Sequence, residues 1–499
     1  MNRRITRVAV AAVVMLGALI VGTTYWQTWA SAGLAARKDN EIQRVAQFTI
    51  RRGTIYANDG TTVLAKNRVV KVGGKTLYYR TYPQRGLTAH VVGYSTITRS
   101  QAGLEESFND YLTGANGNLS SVFRSTLNSW RGITVTGNDV YTTINAKAQK
   151  VALDALAGQC GAAVALNPRT GATLVMASSP TYNPNLVEQD FVKIGLTKAP
   201  CSGAAPLLNR ATQGLFVPGS TFKIITAAAA LDTGKFKPDS EFEDPGYCTE
   251  YGKPVYNAGN PDQNGPEAFG RLTLEEGFEH SVNSVFCNVG KTIGASTILR
   301  YAKRFGFYSV PPFDTPLNER APSGLYQGST LYDPRHADTA VDPGRLAFGQ
   351  ERMLATPLQM AMVASTVATG GIVMRPYVVS RIVAPNGSVV YRTKPDPLGR
   401  AIKPKTAQEL NEFMQLVVTG GTGTAAQIPG IKVAGKTGTA ETNVIGRNTT
   451  WFVGFAPADK PRVAFAVVLE NQTGFGGTTA APIAKLILQA LLPSASPRS

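Results

Sequence analysis

The chain has 499 residues, of which 43% are hydrophobic and 17% charged, and a formal net charge of +17. This composition excludes a disordered chain and a polytopic membrane protein, and the length predicts more than one folded unit with room for a large core. The lysines and arginines are scattered and are not interleaved with aromatic residues in a nucleic-acid-binding motif. We therefore expect a basic, solvated surface and no nucleic-acid partner.

The N-terminal segment predicts a membrane anchor. Arg3, Arg4 and Arg7 precede an uncharged apolar run over residues 8–22. Residues 1–30 are therefore predicted to be a cytoplasmic stub and a single membrane-spanning segment, with the rest of the chain outside the cytoplasm. A signal-peptidase-like site at residues 30–32 leaves a cleaved signal as the alternative. The bulk of the chain is exported under both interpretations.

The cysteines lack the close spacing of a zinc site, and an exported chain can oxidise them. They are Cys160, Cys201, Cys248 and Cys287. Three pairings are open; we favour Cys160 with Cys201 and Cys248 with Cys287, because each pair is near in sequence. No metal or cofactor is expected.

The rest of the chain predicts an α+β fold in two parts. Residues 31–141 mix short alternating strands with turns and predict a strand-rich N-terminal domain. Residues 142–499 would form the second domain, whose apolar runs predict a five-stranded antiparallel sheet flanked by helices and built from both ends of the domain. The predicted strands cover residues 162–166, 172–177, 431–440, 450–456 and 463–470, and a closing helix covers residues 480–492.

A Ser-x-x-Lys string, Ser220 to Lys223, opens an Ala-rich run that predicts a helix over residues 221–231. One helical turn places the Lys223 amine on the same side as the Ser220 hydroxyl. Burial and a second cation would lower the pKa of the lysine until it can accept the serine proton. The histidines, His90, His280 and His336, are too far apart in sequence to suggest a Ser-His-Asp triad, so we expect a lysine base.

Two further strings complete a candidate acyl-transfer site. Ser281 and Asn283 fall at or near a turn in a predicted helix over residues 274–288, where Ser281 could carry a proton and Asn283 could bind a substrate amide. A second Ser-x-Asn string, Ser107 to Asn109, lies outside the interval between the other two motifs.

The Lys-Thr-Gly string, Lys436 to Gly438, is predicted to lie on an edge strand and to supply the second cation. Thr437, Gly438 and Thr439 would present backbone and hydroxyl groups to substrate, and the N–H groups of Ser220 and Thr439 would form an oxyanion hole. The preceding Gly430 also permits a phosphate-loop pattern, which we reject because β-branched residues sit inside the would-be loop.

With these motifs in place, the chain resembles the class B penicillin-binding proteins, the D,D-transpeptidases that cross-link peptidoglycan. Further strings typical of that family are Arg52-Gly53, Tyr82-Pro83, Gly349-Gln350, Thr356-Pro357 and Trp451-Phe452. One departure is Asn58-Asp59, which replaces the family's Asp with a neighbouring Arg.

The resemblance implies that Ser220 attacks the penultimate D-Ala carbonyl of a stem peptide and passes the acyl group to an amine. Penicillins would acylate the same serine. It also implies a single-pass protein of the bacterial cell membrane, whose anchor and N-terminal domain, the pedestal, dock a polytopic glycan polymerase. A D,D-carboxypeptidase is the nearest alternative, because water could resolve the same acyl-enzyme; a β-lactamase, a penicillin sensor and a non-enzymatic cell-wall binding module fit the anchor and motifs less well.

Overall fold

The structure of the protein is a computed structural model. It describes residues 3–25, 48–97, 99–114, 136–201, 203–257, 268–442 and 444–493. A helix, Arg3–Tyr25, covers the apolar N-terminal run. Among the described residues, no helix is both long enough and apolar enough to cross a membrane. The signal-peptidase-like residues 30–32 lie outside the described residues.

The N-terminal part is built around a six-stranded sheet, as its strand-rich sequence predicts. Glycines 73 and 74, with φ of 55° and 76°, turn the antiparallel hairpin between its two longest N-terminal strands. Two strands from far along the chain, Val379–Val383 and Val389–Arg392, complete the sheet. The sheet is therefore assembled across the predicted boundary near residue 142, and the domain limits themselves stay a prediction. In spatial order its strands are Val389–Arg392, Val379–Val383, Asp139–Thr142, Ile55–Tyr56, Val63–Val72 and Lys75–Thr81.

A buried ion cluster ties this sheet to the short helices Gly103–Ser107 and Asn109–Thr113. Glu105 accepts hydrogen bonds from Arg52 Nη2 at 3.0 Å and from Arg80 Nε at 2.6 Å. Asn109 Oδ1 accepts a bond of 2.7 Å from Arg52 Nη1. The second Ser-x-Asn string is thus part of this structural cluster.

The second part contains the predicted five-stranded antiparallel sheet, here called the central sheet. Its strands, in spatial order, are Ala434–Glu441, Asn448–Ala456, Val463–Gln472, Gly161–Leu166 and Thr173–Ser179. Helices Ala146–Ala155 and Gly476–Leu491 pack on one face, and helix Pro357–Ala368 packs on the other. The α+β fold and the assembly of the sheet from both ends of the domain are confirmed.

The remaining core is built by the helices and loops that lie in the chain between strand Thr173–Ser179 and strand Ala434–Glu441. The predicted helix over residues 274–288 is wrong in one respect, because it is two helices, Leu274–Glu279 and Asn283–Ile293, with Ser281 between them. The other described helices of five or more residues are Asn185–Gln189, Phe191–Gly195, Lys223–Asp232, Ala295–Arg304, Pro343–Ala347 and Pro404–Thr419.

Candidate active site

Ser220 lies on a single 3-10 turn, Gly219–Phe222, that continues into helix Lys223–Asp232. The predicted helix is therefore present, although its first turn is tighter than an α-helix. Gly219 has a φ of 52°, a left-handed conformation that favours glycine. A Cβ on Gly349 would lie 2.2 Å from the Gly219 carbonyl oxygen, so both glycines are needed to hold the serine segment in place.

The Lys223 side chain is fully buried one turn after the serine. Its Nζ donates to the main-chain oxygen of Ser281 at 2.6 Å and to Asn283 Oδ1 at 2.8 Å, and lies 3.4 Å from Ser281 Oγ. Burial, and then the charge of Lys436, hold the pKa of Lys223 well below its usual value. A low pKa lets a lysine act as a proton acceptor near neutral pH.

Ser281 lies in the break between two helices with a φ of 62°, which is uncommon for a residue with a side chain. The break is stabilised where the Ser281 N–H donates to Phe278 and the Val282 N–H donates to Gly277. Asn283 Nδ2 donates to the Tyr256 carbonyl at 3.0 Å, which fixes the orientation of its amide. The break therefore presents Ser281 and Asn283 together to Lys223.

Lys436 lies on Ala434–Glu441, which is the edge strand of the central sheet as predicted. Its side chain is fully buried, and burial lowers its pKa to about 7. A Cβ on Gly438 would lie 2.9 Å from the Pro218 carbonyl oxygen and from Thr221 Cγ2. The lack of a side chain at Gly438 thus lets this strand pack directly against the segment that carries Ser220.

These elements enclose a cavity of about 300 Å³. The predicted residues that line it are Ser220, Ser281, Asn283, Thr437 and Thr439. Lys223 and Lys436 are buried behind its walls, and Gly438 packs against the serine segment. The three sequence motifs therefore meet at one site.

Six further residues line the cavity and are not among the predicted site residues: Gly219, His280, Phe348, Gln350, Thr422 and Phe475. His280 directly precedes Ser281, and Gln350 belongs to one of the strings typical of the family, so there was some indication in the sequence that both lie near the site. Thr422 and Phe475 had no signal, because the fold brings them in from separate loops.

Both predicted disulfides are confirmed. Cys160 is bonded to Cys201, and Cys248 is bonded to Cys287. The second bond joins the hairpin Tyr247–Glu250 and Lys253–Tyr256 to helix Asn283–Ile293. It therefore fixes the same hairpin that accepts the Asn283 hydrogen bond.

A serine at a helix start, a buried lysine of low pKa and a hydroxyl-lined cavity define a serine acyltransferase with a lysine base. Comparison with known proteins gives its family. Residues 161–489 match the penicillin binding protein transpeptidase domain, and residues 52–140 match the penicillin binding protein A dimerisation domain. The chain belongs to the penicillin-binding protein transpeptidases, which confirms the family predicted from the motifs.

Relatives are similar along nearly the whole chain. Peptidoglycan D,D-transpeptidase PbpA of Mycolicibacterium smegmatis is 32% identical over 521 residues, which cover 99% of this chain and 100% of the relative. The ceftriaxone acyl-enzyme complex of penicillin-binding protein A from M. tuberculosis is 31% identical with a TM-score of 0.78, over 90% of this chain and 100% of that one. The D,D-transpeptidase domain of a peptidoglycan glycosyltransferase from Eggerthella lenta is 35% identical with a TM-score of 0.73, and the match covers 89% of this chain and 98% of that one.

Proposed function

We propose that this protein cross-links peptidoglycan as a D,D-transpeptidase and forms an acyl-enzyme on Ser220. The observation that carries the proposal is the buried Lys223, whose pKa is held well below its usual value one turn from a serine that lines the cavity. The family and its acyl-enzyme relatives support the same chemistry.

In the first half-reaction, neutral Lys223 takes the proton of Ser220 Oγ as that oxygen attacks the penultimate D-Ala carbonyl carbon. The N–H groups of Ser220 and Thr439 stabilise the oxyanion. The carbonyl re-forms as the C–N bond breaks, and the leaving D-Ala amine receives its proton from Lys223 through Ser281. The contacts of Lys223 with Ser281 support this route.

In the second half-reaction, an amine from a neighbouring stem peptide attacks the Ser220 ester. Its proton returns along the same route, and Ser220 Oγ leaves as the hydroxyl. Asn283 binds a substrate amide, Lys436 keeps the pKa of Lys223 low, and Thr437, Gly438 and Thr439 bind the substrate along the edge strand. Penicillins acylate Ser220 in the same way.

The test is acylation of the full chain by a fluorescent penicillin, followed by mass spectrometry of the labelled peptide. We expect slow-releasing label on Ser220 and none in Ser220→Ala, with Ser309→Ala, at an exposed position outside the cavity lining, as a folded control. Label at another residue, or an unlabelled folded wild type, would contradict the acyl-enzyme. Offering a stem peptide with and without an amine acceptor then separates transfer from hydrolysis, and hydrolysis alone would favour the D,D-carboxypeptidase.

We also propose that helix Arg3–Tyr25 anchors the protein in the bacterial cell membrane, with the catalytic part outside the cytoplasm. Its apolar side chains, among them Val13 and Val14, are exposed, and the two disulfides suit an oxidising compartment. We expect the full chain to fractionate with membranes and to resist carbonate extraction. Release of the full chain by carbonate would contradict this anchor.

The pedestal is proposed to dock a polytopic glycan polymerase. Val69 and Val72 lie on the hairpin of strands Val63–Val72 and Lys75–Thr81, at one edge of the six-stranded sheet. Their side chains are 57% and 55% exposed, which supports a contact surface there. We expect Val69→Asp with Val72→Asp to reduce co-purification with the polymerase, while Val192→Asp, at an exposed position elsewhere, leaves it unchanged. Equal recovery with all variants would contradict this surface.

A further inference from the structure

Thr422 contacts the Lys-Thr-Gly strand inside the cavity through a pair of hydroxyl groups. Thr422 Oγ1 lies 2.6 Å from Thr437 Oγ1, a hydrogen bond in which either hydroxyl can be the donor. Both residues line the cavity. Two hydroxyls that share one hydrogen bond use one of their two protons for it, which leaves one O–H to donate into the cavity.

The backbone around Thr422 is held closely on both sides. A Cβ on Gly477 would lie 2.1 Å from the Thr422 carbonyl oxygen, and a Cβ on Gly421 would lie 2.5 Å from the Glu279 carbonyl oxygen. Glycine inside a helix carries a conformational cost, and the close approach of Thr422 accounts for it at Gly477. The Thr422 backbone is therefore held in place, and its exposed side chain reaches the edge strand through the hydrogen bond to Thr437.

The surroundings of the hydroxyl pair favour an anion. The cavity lining contains no Asp or Glu within the described residues. Helix Gly476–Leu491 begins at the cavity, and its first N–H donates to Thr439 Oγ1 at 3.1 Å. The positive end of a helix dipole and the nearby Lys436 both stabilise negative charge.

We propose that Thr422 is a positioning residue that orients the Thr437 hydroxyl toward the carboxylate of the substrate. This inference rests on the proposed function, because the carboxylate is the free end of a D-Ala-D-Ala stem peptide or the carboxylate of a penicillin. In the arrangement required here, Thr422 donates its proton to Thr437 Oγ1, so that the Thr437 O–H is left to point to the carboxylate. Loss of the Thr422 hydroxyl leaves Thr437 free to rotate away.

The test compares acylation of Ser220 by benzylpenicillin with acylation by benzylpenicillin methyl ester, which lacks the negative charge. The second-order rate constants are measured by intact mass spectrometry on the full chain. We expect Thr422→Val to lower the ratio of the two rate constants by about tenfold, the loss typical of one hydrogen bond to a charged group. Thr422→Ser should restore the ratio, because it keeps the hydroxyl.

Thr424→Val is the matched control, because Thr424 is an exposed threonine on the same loop but outside the cavity lining. We expect its ratio to equal that of the wild type. An acylated Thr422→Val protein with an unchanged ratio would overturn this inference alone. A folded wild type without acylation at Ser220 would overturn the proposed function, and this inference with it.

Discussion

The Asn283 side chain accepts a hydrogen bond of 2.8 Å from Lys223 Nζ through Oδ1 and donates one of 3.0 Å to the Tyr256 carbonyl through Nδ2. The amide oxygen therefore faces the lysine, because the opposite orientation would place two donors together. A neutral acceptor holds Lys223 in place without a negative charge, which would stabilise the ammonium form and raise its pKa.

Asn283→Asp should therefore move the pH dependence of acylation. The new carboxylate would raise the pKa of Lys223, so that a smaller fraction of the lysine is neutral at each pH. We expect the ascending limb of the acylation rate against pH to move upward by about one pH unit or more. Asn283→Ala removes the acceptor without adding charge and should move the limb less. If the ascending limb of Asn283→Asp lay at the same pH as that of the wild type, or at a lower pH, the result would contradict a lysine base.

Lys436→Met tests the second cation. The charge of Lys436 lowers the pKa of Lys223, in addition to the larger effect of burial. Methionine keeps the site apolar and removes the charge, so the pKa of Lys223 should rise and the ascending limb should move to higher pH. Lys432→Met, at an exposed position just before the strand, is the control and should leave the limb unchanged. A limb that moves to lower pH would exclude the proposed role of Lys436.

Much of this site could be predicted from the sequence. The strands of the central sheet are apolar runs with local turn signals, and the spacing of the Ser-x-x-Lys string alone predicts that Lys223 follows Ser220 by one helical turn. The break at Ser281 was harder to predict, because Phe278, Val282 and Val285 keep a helical spacing across it. The left-handed φ of Ser281 is stabilised by contacts with a distant helix, which local propensity does not contain.

The order of the strands in the six-stranded sheet of the pedestal could not be predicted from the sequence either. Val379–Val383 pairs with Asp139–Thr142 although well over two hundred residues separate them. The contact between Thr422 and Thr437 likewise depends on how a loop packs against the central sheet. In each case the partner is chosen by tertiary packing, whereas the sequence pattern records only the type of element.

Glu105→Gln should destabilise the pedestal. Glu105 is fully buried and pairs with both Arg52 and Arg80. Its neutral substitute would leave two buried guanidinium groups without a counter-charge, which costs about 3–5 kcal/mol. We expect a lower denaturant midpoint for the unfolding transition that includes the pedestal. Asp110→Asn, an exposed change on the next helix, should leave the midpoint unchanged, and a similar loss in both variants would argue against the ion cluster.

The disulfide between Cys248 and Cys287 should matter for acylation as well as for stability. It fixes the hairpin whose Tyr256 carbonyl accepts the Asn283 hydrogen bond. Replacing both cysteines by alanine should lower the free energy of unfolding by about 3–4 kcal/mol, as expected for a closed loop of this length. Because the hairpin would move relative to helix Asn283–Ile293, we also expect slower acylation of Ser220 in the protein that remains folded.

The matched control is the double alanine variant of Cys160 and Cys201, whose sequence separation of 41 is close to the 39 of the other pair. Similar loop lengths predict a similar loss of stability. The Cys160 bond joins the central sheet to the loop around Cys201 and does not touch the hairpin, so acylation by the folded control should keep the wild-type rate. Equal slowing of acylation in both variants would show that the effect follows from lost stability, and that the hairpin does not position Asn283.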